Sequence, residues 1–436
     1  IHINNSEFSL DAMLMSQIHL DTAPSCMDDH DPDSLPADEA VARVRTSLAP
    51  LAGFEQVALR SALGRILAED IRSRIDVPGH TNSAMDGFAI KSADIPTDGA
   101  RELVIIGTAW AGRPFAGECH TGECVRIMTG APIPAGADTV VILERVEVKD
   151  EQIRIRADNK PGQNARKAGE DIASGDVVLK TGQRLLPAHL GLLASLGIGE
   201  VKIHRRIRVA FFSTGDELHA IGEPLPEGGI YDSNRYTLYG MLMRLGVDAI
   251  DMGVVRDEPK ALEQALMQAA GCADAIITSG GVSMGEADLV KQKLSALGKI
   301  NFWKIALKPG RPLAFGRIEN AWFFGLPGNP VSVMVTFYAL VQPALKRLMG
   351  EHDGAPIRLR MPCTSKLKKR QGRMEYQRGW MERDEQGQLC VRKTGPQGSG
   401  ILTSMAEANC FIVLPMEQKN VEPGAEVEVM PFSDFV

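Results

Sequence analysis

The 436-residue sequence lacks the signatures of several large protein classes. Neither G-x-x-x-x-G-K-[ST] nor G-x-G-x-x-G occurs, so neither a P-loop nucleotidase nor a dinucleotide enzyme is indicated. The seven cysteines are scattered and odd in number, with no C-x-x-C pair and no Cys/His cluster. That pattern argues against a disulfide framework and a structural zinc site, and is expected of a reduced, cytoplasmic protein. No run of about 18 apolar residues is free of breakers, so no transmembrane helix is expected. The most apolar window, AWFFGLPGNPVSVMVTF, is interrupted by Gly, Pro and Asn. The N-terminal stretch has no basic segment and no A-x-A site, and makes a poor signal peptide. Aromatic residues are only 5% and the net charge is −7, which disfavours a general nucleic-acid binder.

What is present is ordinary globular composition, 44% apolar and 24% charged, on a chain too long for one core. Residues 1–33 are acidic and turn-rich and are expected to be a mobile tail. Residues 35–51 pattern as a helix with Pro36 at its start. From 102 to 156 the pattern is strands, and 79–167 reads as a β-rich domain inserted into a first, mixed domain of 34–78 plus 168–206. From 207 to 350, apolar strands alternate with amphipathic helices, the pattern of a three-layer α/β domain. Residues 355–436 read as short strands, a small β-barrel or sandwich. The fold class expected is therefore multidomain α/β.

Ligands of open α/β sheets bind beyond the carboxyl ends of the strands. Here one strand runs into STGDEL, offering Ser213, Thr214 and Glu217. Another runs into SGGVSMGEAD, offering Ser279, Gly280, Gly281, Ser283, Glu286 and Asp288. A helix opens with YDSNR. Each acidic junction reads either as an ordinary helix cap or as part of a site. Together they are converging carboxylates, which a hard cation such as Mg²⁺ would offset. Downstream, FWKIALKPGRP supplies Lys304, Lys308 and Arg311. Even spacing in a strand would put the two lysines on one face, either as an oxyanion pocket or as a solvated edge. GLPGNPVSV places Pro327, Gly328 and Asn329 before a helix whose N-terminus can seat an anion. Two compact loops in the β-rich domain carry Asp86 and Thr129, and QNARKAGED adds Arg166. The last domain has a Lys/Arg-dense stretch, KLKKRQGRMEYQRG, containing Arg378, and a GPQGSGI loop with Ser399.

In order along the chain, NSAMDGFAI, RIMTGAPIP, STGDEL, YDSNR, SGGVSMGEAD, KPGRPLAFG and GLPGNPVSV resemble the motifs of molybdopterin molybdenumtransferases, the MoeA family. That family is similar in turn to the C-terminal domain of gephyrin. The likeness runs from about residue 34 to the C-terminus. It implies a homodimer whose 207–350 segment is a molybdopterin-binding domain, facing the β-rich domain of the other copy. The implied reaction is Mg²⁺-dependent insertion of molybdate, a substrate, into adenylylated molybdopterin with release of AMP. A molybdopterin adenylyltransferase is implied as a partner. The resemblance makes Asp86, Thr129, Glu217, Asp257, Asp288, Lys304 and Lys308 catalytic, with Glu217 and Asp288 at the metal. Arg166, Arg378 and Ser399 match more loosely as substrate contacts. Phe88 stands where the family commonly has Tyr, and Ala168 where a basic residue is common. Two other readings stand beside this one: adenylylation of molybdopterin by the same α/β fold, and a scaffold without catalysis.

Overall fold

In the computed structural model, residues 33–281, 296–352 and 356–432 are described. The expected tail apart from Asp33, together with Ser283, Glu286 and Asp288, lies outside the described residues. The chain divides into two compact units. One comprises Ala52–Arg205 with Gly350–His352; the described part of the other comprises residues 33–51, 206–349 and 356–432.

In the 52–205 unit, Phe54–Ala58 pairs antiparallel with Glu200–His204, and Ile71–Arg72 with Val177–Leu179. The segments flanking 79–167 are thus laced together, over a core that includes Leu67, Leu185, Leu193 and Ile203. Between them lies a six-stranded sheet in the order Thr139–Ile142, Gly87–Ile90, Glu123–Ile127, Ala100–Ala109, Gln152–Arg156, Glu147–Lys149. The alternation in QIRIR is realised as buried Ile153 and Ile155 between exposed Gln152, Arg154 and Arg156. At Gly87 any Cβ would run into the carbonyl of Val141 on the neighbouring strand, so only glycine fits that crossing.

The other unit is built on a six-stranded sheet. Its order is Asp248–Val255, Arg208–Thr214, Ala275–Ser279, Ala321–Leu326, Pro312–Ile318, Gly298–Lys304. The first four strands are parallel and the last two add an antiparallel edge. Strand Arg208–Thr214 is buried from Val209 onward, as expected when both faces are covered. Helix Ser233–Leu245 starts because the Asp232 side chain accepts the Arg235 N–H at 3.1 Å, and it stops at left-handed Gly246. Helix Pro259–Cys272 opens on proline. A long helical run from Pro330 to Leu348 contains a π-helical stretch, Phe337–Val341, immediately before Pro343. A proline there has no N–H to donate and its ring crowds the preceding turn, which the wider turn relieves.

Residues ahead of this sheet dock onto it. Leu35 donates its N–H to the Lys304 carbonyl at 2.7 Å and accepts the Ala306 N–H at 2.8 Å. Helix Ala37–Ser47, with Ala37, Ala40 and Val44 buried, follows and packs against Gln342–Leu348. Its apolar face is therefore satisfied by the α/β unit, although the sequence reading joins residues 34–51 to the first domain.

The C-terminal strands are Leu359–Pro362, Met374–Arg383, Leu389–Lys393, Cys410–Leu414 and Glu426–Pro431. They form an antiparallel sheet, and a bridge from Cys363 to Val391 brings its first strand back to Leu389–Lys393. Leu307–Lys308 adds to this sheet in parallel with Met374–Glu375.

Candidate functional site

The parallel strands end on a cavity of about 1060 Å³. It lies where the strand order reverses: the chain goes from Arg208–Thr214 to one neighbour, Asp248–Val255, then crosses back to the other, Ala275–Ser279. Loops diverge at such a point and leave a crevice. Each strand end delivers polar groups. The first gives Thr214 and, three residues on, Glu217; the second gives Asp257. The third gives Ser279, Gly280 and Gly281, and the fourth gives Pro327, Gly328 and Asn329. Gly280 has φ +93°, and a Cβ on it would lie 2.5 Å from the Thr214 carbonyl oxygen and 3.0 Å from its hydroxyl, so only glycine lets the two loops come this close.

Cations reach the cavity from far along the chain. Arg311 lines it from the turn after Lys308, and Arg373 from the C-terminal sheet, beside Ser399 and Gly400. The Ser399 carbonyl accepts the Val331 N–H at 3.1 Å, and residue 330 is proline. The helix N-terminus expected to seat an anion therefore already spends that donor within the protein.

Several expected site residues sit elsewhere. Ser213 is fully buried and donates its hydroxyl to Asp232 at 2.9 Å, which locks the start of the following helix. Asp232 also pairs with Arg235 at 3.3 Å, and Arg235 reaches both Asp251 oxygens at 3.2 Å. Burial opposes the Arg235 charge, but its bond to Asp251 and the neighbouring carboxylates prevail and raise its pKa.

Lys304 and Lys308 do not share a strand face. The strand ends at Lys304, Ile305 pairs with Leu35, and Leu307–Lys308 joins the other sheet. Neither lysine lines the cavity. Lys308 Nζ is held at 2.7 Å by Glu375, whose other oxygen accepts from Gln377 at 2.8 Å.

Arg378 is 1% exposed and does not line the cavity either. Its guanidinium donates to the Ser404 hydroxyl and to the carbonyls of Pro396, Gln397 and Gly398, at 2.9–3.1 Å. It thus shapes the loop that carries Ser399. Burial pushes its pKa down to about 10, still far above neutrality, so it stays charged.

Asp86, Thr129 and Arg166 belong to the 52–205 unit. Thr129 donates its N–H and its hydroxyl to Asp86 Oδ1 at 2.7 and 2.8 Å. These bonds, the backbone one first, hold the Asp86 pKa below its ordinary value. Arg166 pairs with Asn82 across a short two-strand ladder, and both line a second cavity of about 440 Å³ with Glu170 and Asp171.

Arg373 and Asn234 are among the cavity residues that escaped the sequence reading. Arg373 was visible only as one cation in a basic stretch. Asn234 looked like part of a helix cap, yet its Nδ2 donates to the Ser279 hydroxyl at 2.7 Å and to the Gly328 carbonyl at 2.6 Å. Among the described residues, the oxygens Thr214 Oγ1 and Asn234 Oδ1 are buried without a hydrogen-bond partner.

A multidomain α/β chain with such a crevice is first a ligand-binding α/β protein, and comparison with known proteins narrows the class. Residues 35–197 match the MoeA N-terminal region (domain I and II), 210–347 a probable molybdopterin binding domain, and 360–432 the MoeA C-terminal region (domain IV). A molybdopterin molybdenumtransferase of Haemophilus influenzae is 47% identical over 384 residues, 88% of this chain and 95% of that protein. Gephyrin of Dictyostelium discoideum is 36% identical, over 86% of this chain and 59% of its own length. The crystal structure of a molybdopterin biosynthesis moeA protein from Pyrococcus horikoshii OT3 covers 92% of this chain and 100% of its own, with TM-score 0.80 and 29% identity. The chain belongs to the MoeA family of molybdenum cofactor biosynthesis and is an enzyme of that family.

Proposed function

We propose that this enzyme inserts molybdate into adenylylated molybdopterin and releases AMP. The observation that carries the reading is one cavity that gathers Glu217 and Asp257 with Arg311, Arg373 and Ser399. Two guanidiniums are planar, permanently charged donors suited to a tetrahedral oxyanion or a phosphate. In the proposed reaction, two substrate sulfurs replace two molybdate oxygens, which leave as water or hydroxide. Water cleaves the pyrophosphate bond, so no protein nucleophile is called for. Arg311 and Arg373 would hold molybdate and phosphate oxygens in place, and the Ser399 hydroxyl would orient one of them.

The donor chemistry fits Mg²⁺. Glu217 and Asp257 line the cavity, and Thr214 Oγ1 is a buried oxygen without a partner among the described residues. Among the described residues no three His, Cys, Asp or Glu groups gather as a metal cage. Mg²⁺ commonly relies on one or two carboxylates plus water and substrate phosphate. Glu217 would hold it, together with Asp288 as the family resemblance implies, and it would supply charge neutralisation at the pyrophosphate. The same resemblance supports a homodimer in which units from the two copies form each site, bringing in Asp86, Thr129 and Arg166.

The test is AMP release from adenylylated molybdopterin, with molybdate and Mg²⁺ each omitted in turn. Release that needs both supports the reading; ATP consumption with free molybdopterin, and no such release, sinks it. Arg373→Ala is expected to raise the KM for molybdate about ten- to hundredfold, the weight of one or two charge-assisted hydrogen bonds.

A further inference from the structure

Helix Ser233–Leu245, strand Ala275–Ser279 and strand Ala321–Leu326 meet at one side chain. Asn234 is 8% exposed and gives the two hydrogens of its amide to two different loops, the Ser279 hydroxyl and the Gly328 carbonyl. Its partners lie 45 and 94 residues along the chain. The same two loops are joined by a backbone bond nearby, Gly280 N–H to the Leu326 carbonyl at 3.1 Å. Meanwhile Asn234 Oδ1 is buried with no partner among the described residues. A side chain kept only for packing would not carry an unsatisfied acceptor, because a smaller or apolar residue would be cheaper to bury. What the amide uniquely supplies is the pair of donors that fixes the spacing between the two loops.

We propose that Asn234 is a positioning residue for the crevice: it sets the distance between the Ser279–Gly281 and Pro327–Asn329 loops and thereby the fit of the nucleotide-bearing substrate. This rests on the function proposed above. Asn234 acts through Ser279 and Gly328. Removing its amide also removes the orphaned acceptor, so binding and stability should separate.

The experiment uses the full chain and AMP, the product of the proposed reaction, as probe. Calorimetric AMP affinity, thermal midpoint and amide exchange of residues 278–281 are compared for wild type, Asn234→Ala, Ser279→Ala and the double variant. Asn234→Ala is expected to lose about tenfold or more in AMP affinity, to exchange the Gly280 amide faster, and to keep its midpoint within a few degrees. Its loss should shrink markedly in the Ser279→Ala background. Unchanged affinity and exchange, or full additivity with Ser279→Ala, would overturn the proposal. If the alanine variant does not fold, Asn234→Ser takes its place under the same criteria. Wild type that binds no AMP counts against the proposed function, while the exchange measurement still decides the role of Asn234.

Discussion

Thr129 presents two donors, a backbone N–H and a hydroxyl, to a single oxygen of Asp86. This pincer favours the carboxylate over the acid and holds Asp86 ionised below the usual range. A depressed carboxylate contributes stability that is present above its unfolded value of about 3.9 and is lost as pH falls through the folded value. Asp86 is exposed, so solvent screening keeps that contribution small, and the shift is read best as a charge state. In Thr129→Val the stronger backbone bond remains and the hydroxyl is gone. The Asp86 pKa, followed by carboxyl NMR titration, should rise part of the way to its ordinary value. No movement would show that the hydroxyl bond is not formed in solution.

Arg378 should behave as a structural cation. Arg378→Met would leave the carbonyls of Pro396 and Gln397 without the guanidinium and the Gly398 carbonyl with only the Ile401 N–H, at a cost of about 3 kcal/mol. Urea unfolding would read this as a lower midpoint at unchanged slope. Turnover should fall along with it, through a loosened Ser399 loop. Full stability with lost turnover would instead place Arg378 on the substrate.

Gly280→Ala asks for a side chain at φ +93° and 2.5 Å from the Thr214 carbonyl. The strand ends would have to part. A loss of roughly 1–3 kcal/mol is expected, with AMP affinity reduced in parallel. An alanine variant equal to wild type in both would show that the loops are not in contact.

Burial pushes the thiols of Cys119 to about 11 and of Cys124 and Cys410 to about 12. They are protonated at neutral pH and are poor nucleophiles. Native protein treated with iodoacetamide at pH 8 should leave all three unlabelled, as peptide mass spectrometry would show, and denaturant should expose them. Rapid native labelling of Cys124 or Cys410 would contradict the packing described here.

The sheet was legible because its strands are short apolar runs, two of them ending in the small hydroxyl residues Thr214 and Ser279, and the described helices between them open on the Asp232 cap or on Pro259. The cavity side of Thr214, Ser279 and Gly328 followed from that rhythm. Among the cations, Arg311 followed too, but the others did not. Lys304 and Lys308 have strand spacing, but a strand face is a property of one continuous strand, and the chain changes sheets at Ile305–Ala306. Arg373 and Arg378 are five apart, and sequence alone does not say which long side chain turns inward. Asn234 reads as helix-start chemistry because its partners are remote in the chain. Contacts of that kind leave no local pattern.

The short parallel pairing of Leu307–Lys308 with Met374–Glu375 has a practical meaning for anyone dissecting the enzyme. Two residues from the middle of the chain form an edge of the C-terminal sheet, and the turn just after them carries Arg311. A fragment ending at Leu348 would retain every strand of the α/β sheet and the carboxylates Glu217 and Asp257. It would also carry an orphaned strand edge at Leu307–Lys308 and have neither Arg373 nor Ser399. Such a fragment would be a fold with half a charge pattern: able to attract a cation, poorly equipped to hold an oxyanion, and prone to self-association through the exposed edge.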